Sequence, residues 1–90
     1  MVVKKSAYRI EFSPKADRQF KKLPRAIQLR LGPKIDSLAE NPRPVGVKKL
    51  QGKDDFYRIR AGDYRIIYKI QDEILTVLVL TIGHRAAVYR

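Results

Sequence analysis

From Tyr8 to Phe12 the chain alternates large apolar and charged residues, Tyr-Arg-Ile-Glu-Phe, the period of a strand with one buried face. The period then changes. Ser13-Pro14 offers an N-cap followed by proline at the first helical position, and Asp17 places a negative charge in the first turn, where the helix dipole favours it. Ala16, Phe20 and Leu23 recur at helical spacing, so a first helix is predicted over residues 14–23. Pro24 punctuates the chain, and Ile27, Leu31, Ile35 and Leu38 continue in helical steps. Gly32-Pro33 falls inside this second pattern. Pro33 cannot donate to the carbonyl of Leu29, which predicts a kink or a short break there. Asn41-Pro42-Arg43-Pro44 then ends the helix. The expectation is an antiparallel helical hairpin, basic on its outer side.

The second half reads as strands at residues 56–61, 64–70 and 74–82. Gly62-Asp63 and Gln71-Asp72-Glu73 are turns short enough to force antiparallel pairing. The last strand is apolar on both faces and is therefore expected at the centre of the sheet. Strand, two helices and three strands make an α+β, two-layer fold, with the N-terminal strand and helical hairpin packed on a small, mainly antiparallel sheet.

A two-residue turn at Gly62-Asp63 fixes the register of its hairpin. Ala61 falls opposite Tyr64, Arg60 opposite Arg65, Ile59 opposite Ile66, Arg58 opposite Ile67 and Tyr57 opposite Tyr68. Tyr57, Ile59, Ile66 and Tyr68 then share the face suited to the helices. Arg58, Arg60, Arg65 and Lys69 share the other. Like charges directly opposite one another destabilise a sheet, so Arg60 facing Arg65 calls for a reason. The functional reading is a preorganised anion site whose guanidinium forks meet phosphate. The plain alternative is a solvated face on which long side chains splay apart.

Composition narrows the partners. Twenty Lys and Arg against nine Asp and Glu give a net charge of +11, and residues 1–30 alone carry nine basic groups and two acidic ones. Such a balance suits a polyanion, most simply nucleic acid, or an acidic protein that masks the surface. Ninety residues suffice for a single domain, 1–90, with one thin core. Zero Cys excludes a disulfide scaffold, a thiolate zinc site and a cysteine nucleophile. The first twelve residues hold no apolar run of signal-peptide kind and no span suits a bilayer, so a cytoplasmic protein without a membrane partner is expected. No glycine-rich phosphate loop, Ser/His/Asp arrangement or two-metal acidic pair stands out, and neither cofactor nor metal is expected. Asp54-Asp55 read as turn residues.

Beyond the last strand lie His84, the one histidine, and then Arg85 and Tyr89. Arg85 is a further potential phosphate contact. Tyr89 can stack on a splayed base or simply pack, with its hydroxyl in water. His84 is the only side chain whose ordinary pKa lies near neutrality; equally, it can mark a strand's exit to solvent.

Several segments together resemble one family: Lys49-Leu50-Gln51-Gly52, the block Tyr57-Arg58-Ile59-Arg60-Ala61-Gly62-Asp63-Tyr64-Arg65-Ile66-Ile67-Tyr68, then Gly83-His84-Arg85 and Val88-Tyr89-Arg90. They resemble the RelE toxins of the RelE/ParE toxin–antitoxin superfamily, and the likeness covers nearly the whole chain. It implies a small endoribonuclease that works without a metal, enters the ribosomal A site and cuts mRNA there. An acidic, RelB-like antitoxin would wrap around it and hold it inactive. The family's strand-borne basic residues match Arg58, Arg60 and Arg65, its arginine after the last long strand matches Arg85, and its near-terminal tyrosine matches Tyr89. Lys49 and Lys69 add phosphate contacts.

The implied reaction is attack of a 2′-hydroxyl on the adjacent phosphate. Arg65, supported by Arg60, would stabilise the charge, Arg85 would serve the leaving oxygen and Tyr89 would orient the base. Well-studied members carry lysine where this chain has Arg58 and Arg60, and an arginine does not give up its proton near neutral pH. His84 is therefore the candidate for proton transfer. Two other readings stay open: a ParE-like toxin that poisons gyrase without cutting RNA, and a non-catalytic RNA-binding module.

Overall fold

In the computed structural model, which describes residues 7–52 and 55–84, a helical hairpin lies on one face of a five-stranded sheet. The elements are β1 (Arg9–Phe12), α1 (Pro14–Lys21), α2 (Arg25–Asp36) with a 3-10 turn at Ser37–Ala39, β2 (Lys48–Lys49), β3 (Phe56–Ala61), β4 (Tyr64–Gln71), a second 3-10 turn at Asp72–Ile74, and β5 (Thr76–His84). The strand order is β1-β5-β4-β3-β2. Among the described strands only the β1–β5 pair is parallel.

The helices form where the sequence signals them. Ser13 is the N-cap of α1, its Oγ accepting the Ala16 amide at 3.1 Å. At the other end Gln28 reaches back from α2, and its Nε2 donates to the carbonyls of Phe20, Lys21 and Leu23 where the helix ends. Ala16, Leu31, Ile35 and Leu38 are buried against Tyr57, Ile59, Ile66, Tyr68, Ile70, Val77, Val79 and Ile82. Each large aliphatic side chain so buried contributes about 1.5–3 kcal/mol relative to exposure. Phe20, Leu23 and Ile27 pack at the margin of this core.

Three expectations are corrected, and one strand was not foreseen. Helix α2 runs unbroken through Gly32-Pro33. Leu29 and Pro33 both lie on its exposed side, where the carbonyl that Pro33 leaves without a donor turns to solvent rather than into the core. Strand β5 starts at Thr76 rather than at 74, because Asp72–Ile74 turn and Leu75 adopts a left-handed φ of 49°. It runs on to His84. The middle strand is β4; β5 is internal but stands next to the edge, flanked by β1. Finally β2, a two-residue strand on the far edge, has no periodic signal to announce it.

Strand β5 also changes phase. Tyr68 pairs with Val79 while Ile67 pairs with Thr81, so Leu80 is an extra residue, a β-bulge. Val77 and Val79 face the core below it, and Ile82 faces the core above it. Ser13 seals this irregularity: its amide donates to the Val79 carbonyl at 2.8 Å and its hydroxyl to the Leu80 carbonyl at 3.1 Å. The residue that starts α1 therefore also holds the bulge.

Candidate active site

The β3–β4 hairpin has the register its turn dictates. Gly62 takes φ 62° at the first turn position and Asp63 does not need a positive φ, the pattern of a type II′ turn. Arg60 pairs with Arg65, Arg58 with Ile67 and Phe56 with Lys69. Directly paired residues share a face, and Tyr57, Ile59, Ile66 and Tyr68 occupy the helix side. The arginines are thereby held on the face away from the helices.

Extending these pairs across the sheet gives two rows. Arg60, Arg65 and Gly83 form the first; Lys48, Arg58, Ile67 and Thr81 form the second. Neither row contains a carboxylate. Strand spacing puts neighbouring Cα atoms roughly 5 Å apart along a row and roughly 7 Å apart along a strand. Three guanidinium groups at that spacing can converge on one phosphate. Arg60 is exposed, whereas Arg58 and Arg65 are half-buried, with their Nε atoms out of solvent contact. Their stems lie along the sheet, which restricts the rotamers they explore before a ligand arrives.

Of the other residues expected at the site, Lys69 is on the arginine face, where its ammonium lies 5.7 Å from the ring centre of Phe56. Lys49 is not. It pairs with Tyr57 and so belongs to the helix side, while its neighbour Lys48, opposite Arg58, takes the place beside the arginines. A two-residue strand is too short to reveal its own alternation, so the sequence does not tell which of two adjacent lysines shares this face. His84 pairs with Tyr64 and packs against it edge to face, ring centres 5.8 Å apart, on the helix side of the sheet. The structure thus does not bring His84 together with the arginines. Arg85 and Tyr89 lie outside the described residues.

A second polar cluster had no signal in the sequence beyond the Pro-Arg-Pro segment that carries it. Arg43 grips Asp72 with two nitrogens, its Nη2 at 2.8 Å from Oδ2, and its Nε donates to the Tyr57 hydroxyl at 3.2 Å. Tyr8 donates to the same carboxylate. Hydrogen bonds from Arg43 and then Tyr8 hold the Asp72 carboxyl below its ordinary pKa, and the bond to Asp72 raises Tyr8 above its own. Tyr68, stacked on Tyr57, donates to the Pro42 carbonyl at 2.7 Å, and burial pushes its pKa up. The cluster ties the segment after the helices to β1, β3 and the β4–β5 turn. A hollow at this end, lined by Asp55, Lys69, Gln71, Asp72, Glu73 and Ile74, carries three carboxylates and so repels phosphate.

The family model described as "ParE toxin of type II toxin-antitoxin system, parDE" matches residues 10–89. The mRNA interferase toxin RelE of Escherichia coli is 33% identical over 81 residues, 88% of this chain and 84% of that protein. Toxin RelG of Mycobacterium tuberculosis is 33% identical over 84 residues, 92% of this chain and 97% of that protein. Among solved structures, the isolated E. coli RelE toxin superposes with a TM-score of 0.79 at 32% identity, covering 92% of each chain. The toxin in the RelE–RelB complex of Pyrococcus horikoshii superposes at 0.78 with 30% identity, covering 90% of this chain and 98% of that one. Sequence likeness over almost the full length, the helical hairpin on a sheet ordered β1-β5-β4-β3-β2 and the arginine-bearing β3–β4 hairpin agree: the chain belongs to the RelE family of the RelE/ParE type II toxins.

Proposed function

We propose that the chain is a ribosome-dependent endoribonuclease, a single-domain toxin that stops translation by cutting mRNA in the cytoplasm. The observation that carries this reading is the row Arg60-Arg65 with Arg58 beside it: opposed cations in two strand rows that pair no carboxylate, an arrangement suited to an RNA phosphate. The E. coli relative's name, mRNA interferase, supports the same chemistry. The 2′-oxygen of one nucleotide attacks the adjacent phosphorus while the bond from phosphorus to the 5′-oxygen breaks. The products are a 2′,3′-cyclic phosphate and a 5′-hydroxyl; the 2′-hydroxyl gives up a proton and the 5′-oxygen gains one. Arg65 and Arg60 bind the non-bridging oxygens and stabilise the extra negative charge of the transition state. Arg58 and Lys48 hold flanking phosphates, and Lys69 lies further along the same face. Arg85 and Tyr89 complete the site, at the leaving oxygen and at the base respectively.

Arginines remain protonated at pH 7, so this face supplies positioning and charge rather than a base. The ribosome then supplies the remaining part, holding the mRNA in line. The partner that silences the toxin is an acidic RelB-like antitoxin, as in the P. horikoshii RelE–RelB complex, and a basic protein meets it by charge.

The test is to add the purified chain to mRNA alone and to mRNA on ribosomes, then map the new 5′-hydroxyl ends. Cleavage confined to ribosome-bound message is the expected result. The ParE description of the matched family favours a second reading, gyrase poisoning. DNA breaks without RNA cleavage would establish that one, and RNA binding without cleavage would leave a non-catalytic module.

A further inference from the structure

Row one ends on a residue with no side chain. Gly83 pairs with Arg65 on β5 and stands on the arginine face, while its neighbours Ile82 and His84 point to the helix side. Its backbone does not explain the choice of glycine. Gly46, Gly52 and Gly62 have φ of 91°, 75° and 62°, conformations that other residues rarely adopt; Gly83 is not among the positive-φ glycines and is extended within a paired strand. Any β-branched residue would suit that conformation and pair better. A glycine there weakens the strand relative to alanine. Such a cost inside a strand marks a place where something else comes close to the backbone.

We propose that Gly83 is a steric determinant of the site: its missing side chain leaves room for the sugar–phosphate backbone of the RNA to lie on the main chain of β5, beside Arg65. The inference rests on the functional reading above and deepens it. Side chains of directly paired residues stand roughly 5 Å apart at Cβ, so any group at position 83 would rise alongside the stem of Arg65. It would occupy the volume a phosphate needs in order to reach the guanidinium from the β5 side. On the other side Arg60 already fills the row. Among the described residues no strand pairs with β5 beyond Val79 on its far side; that end of the row is the approach, and the bulge at Leu80 is what turns residue 83 toward it.

The test compares the full-length chain with Gly83→Ala and Gly83→Val, each freed from its antitoxin. Melting temperature and single-turnover cleavage of ribosome-bound mRNA are measured side by side. The expected result is opposite signs: melting temperature unchanged or higher, and cleavage at saturating toxin lower by about tenfold for Ala and about 10²-fold for Val, the scale of a 1 Å misplacement. Wild-type rates in both variants would overturn the proposal. So would a melting temperature that falls with side-chain size, which would make the glycine a packing requirement. A wild-type chain that cuts no RNA defeats the functional reading before any substitution is made, and that failure is thereby told apart.

Discussion

His84 and Arg65 point to opposite sides of the sheet. Each occupies the end of its strand nearest the β3–β4 turn, but His84 pairs with Tyr64 and shares its face, while Arg65 pairs with Gly83. A histidine held edge to face on a tyrosine on the helix side is not placed to exchange a proton with RNA bound to the arginines. His84→Gln is therefore expected to keep single-turnover cleavage of ribosome-bound mRNA within about twofold of wild type, with no histidine-like bend in the rate near pH 6–7. A large loss with unchanged mRNA binding would bring His84 back as the proton carrier.

Arg65→Ala should lower cleavage by about 10²–10³-fold, the cost of losing one transition-state charge contact. Folding and antitoxin binding should survive, because the change removes one of two cations that face each other across the hairpin. Cleavage rate and thermal melting of the same preparation check both halves; a fully active or misfolded variant would show the arginine to be structural.

Two adjacent lysines are expected to behave differently. Lys48→Ala removes a charge from the row that contains Arg58, so affinity for mRNA-loaded ribosomes should fall and the slope of log affinity against log salt should shrink by roughly one. Lys49→Ala, on the helix side, should leave that slope unchanged. Equal effects from the two would mean that the edge strand β2 does not hold this register in solution.

Acid should loosen the far end of the sheet. The folded-state pKa of Asp72 is lowered by Arg43 and Tyr8, so its pairing stabilises the fold above the ordinary carboxylate pKa. That contribution disappears as pH falls below about 4 toward the depressed folded value. Asp72→Asn should be less stable than wild type at pH 7, and the difference should shrink as the pH falls below about 4. Denaturant titrations on either side of that pH measure it, and a pH-independent difference would show that charge is not the cause.

Much of this was legible in the chain because the relevant signals are local. The Ser13-Pro14 cap, the helical spacing through Leu38 and the two-residue turn at Gly62-Asp63 each fix geometry within a few residues, and all agree with the structure. From the turn alone the opposition of Arg60 and Arg65 follows. What was not legible depends on long-range pairing. The parallel seating of β1 beside β5 joins residues more than sixty apart, and no local pattern encodes it. The side taken by Lys48 follows from β2 meeting β3. The face of His84 was hidden by Val79-Leu80, two apolar residues in succession that conceal the bulge.

That bulge has a wider consequence. It inverts the parity of β5: below it odd-numbered residues build the core, and above it odd-numbered residues build the arginine face. Losing one residue at Leu80 would restore plain alternation and leave Ile82 facing the core and Thr81 and Gly83 on the arginine face. Replacing Leu80 without deleting it disturbs neither set. Both faces of the strand thus tolerate either change; what the extra residue supplies is the carbonyl that takes the Ser13 hydroxyl, so the bulge is where the cap of the first helix is fastened to the sheet.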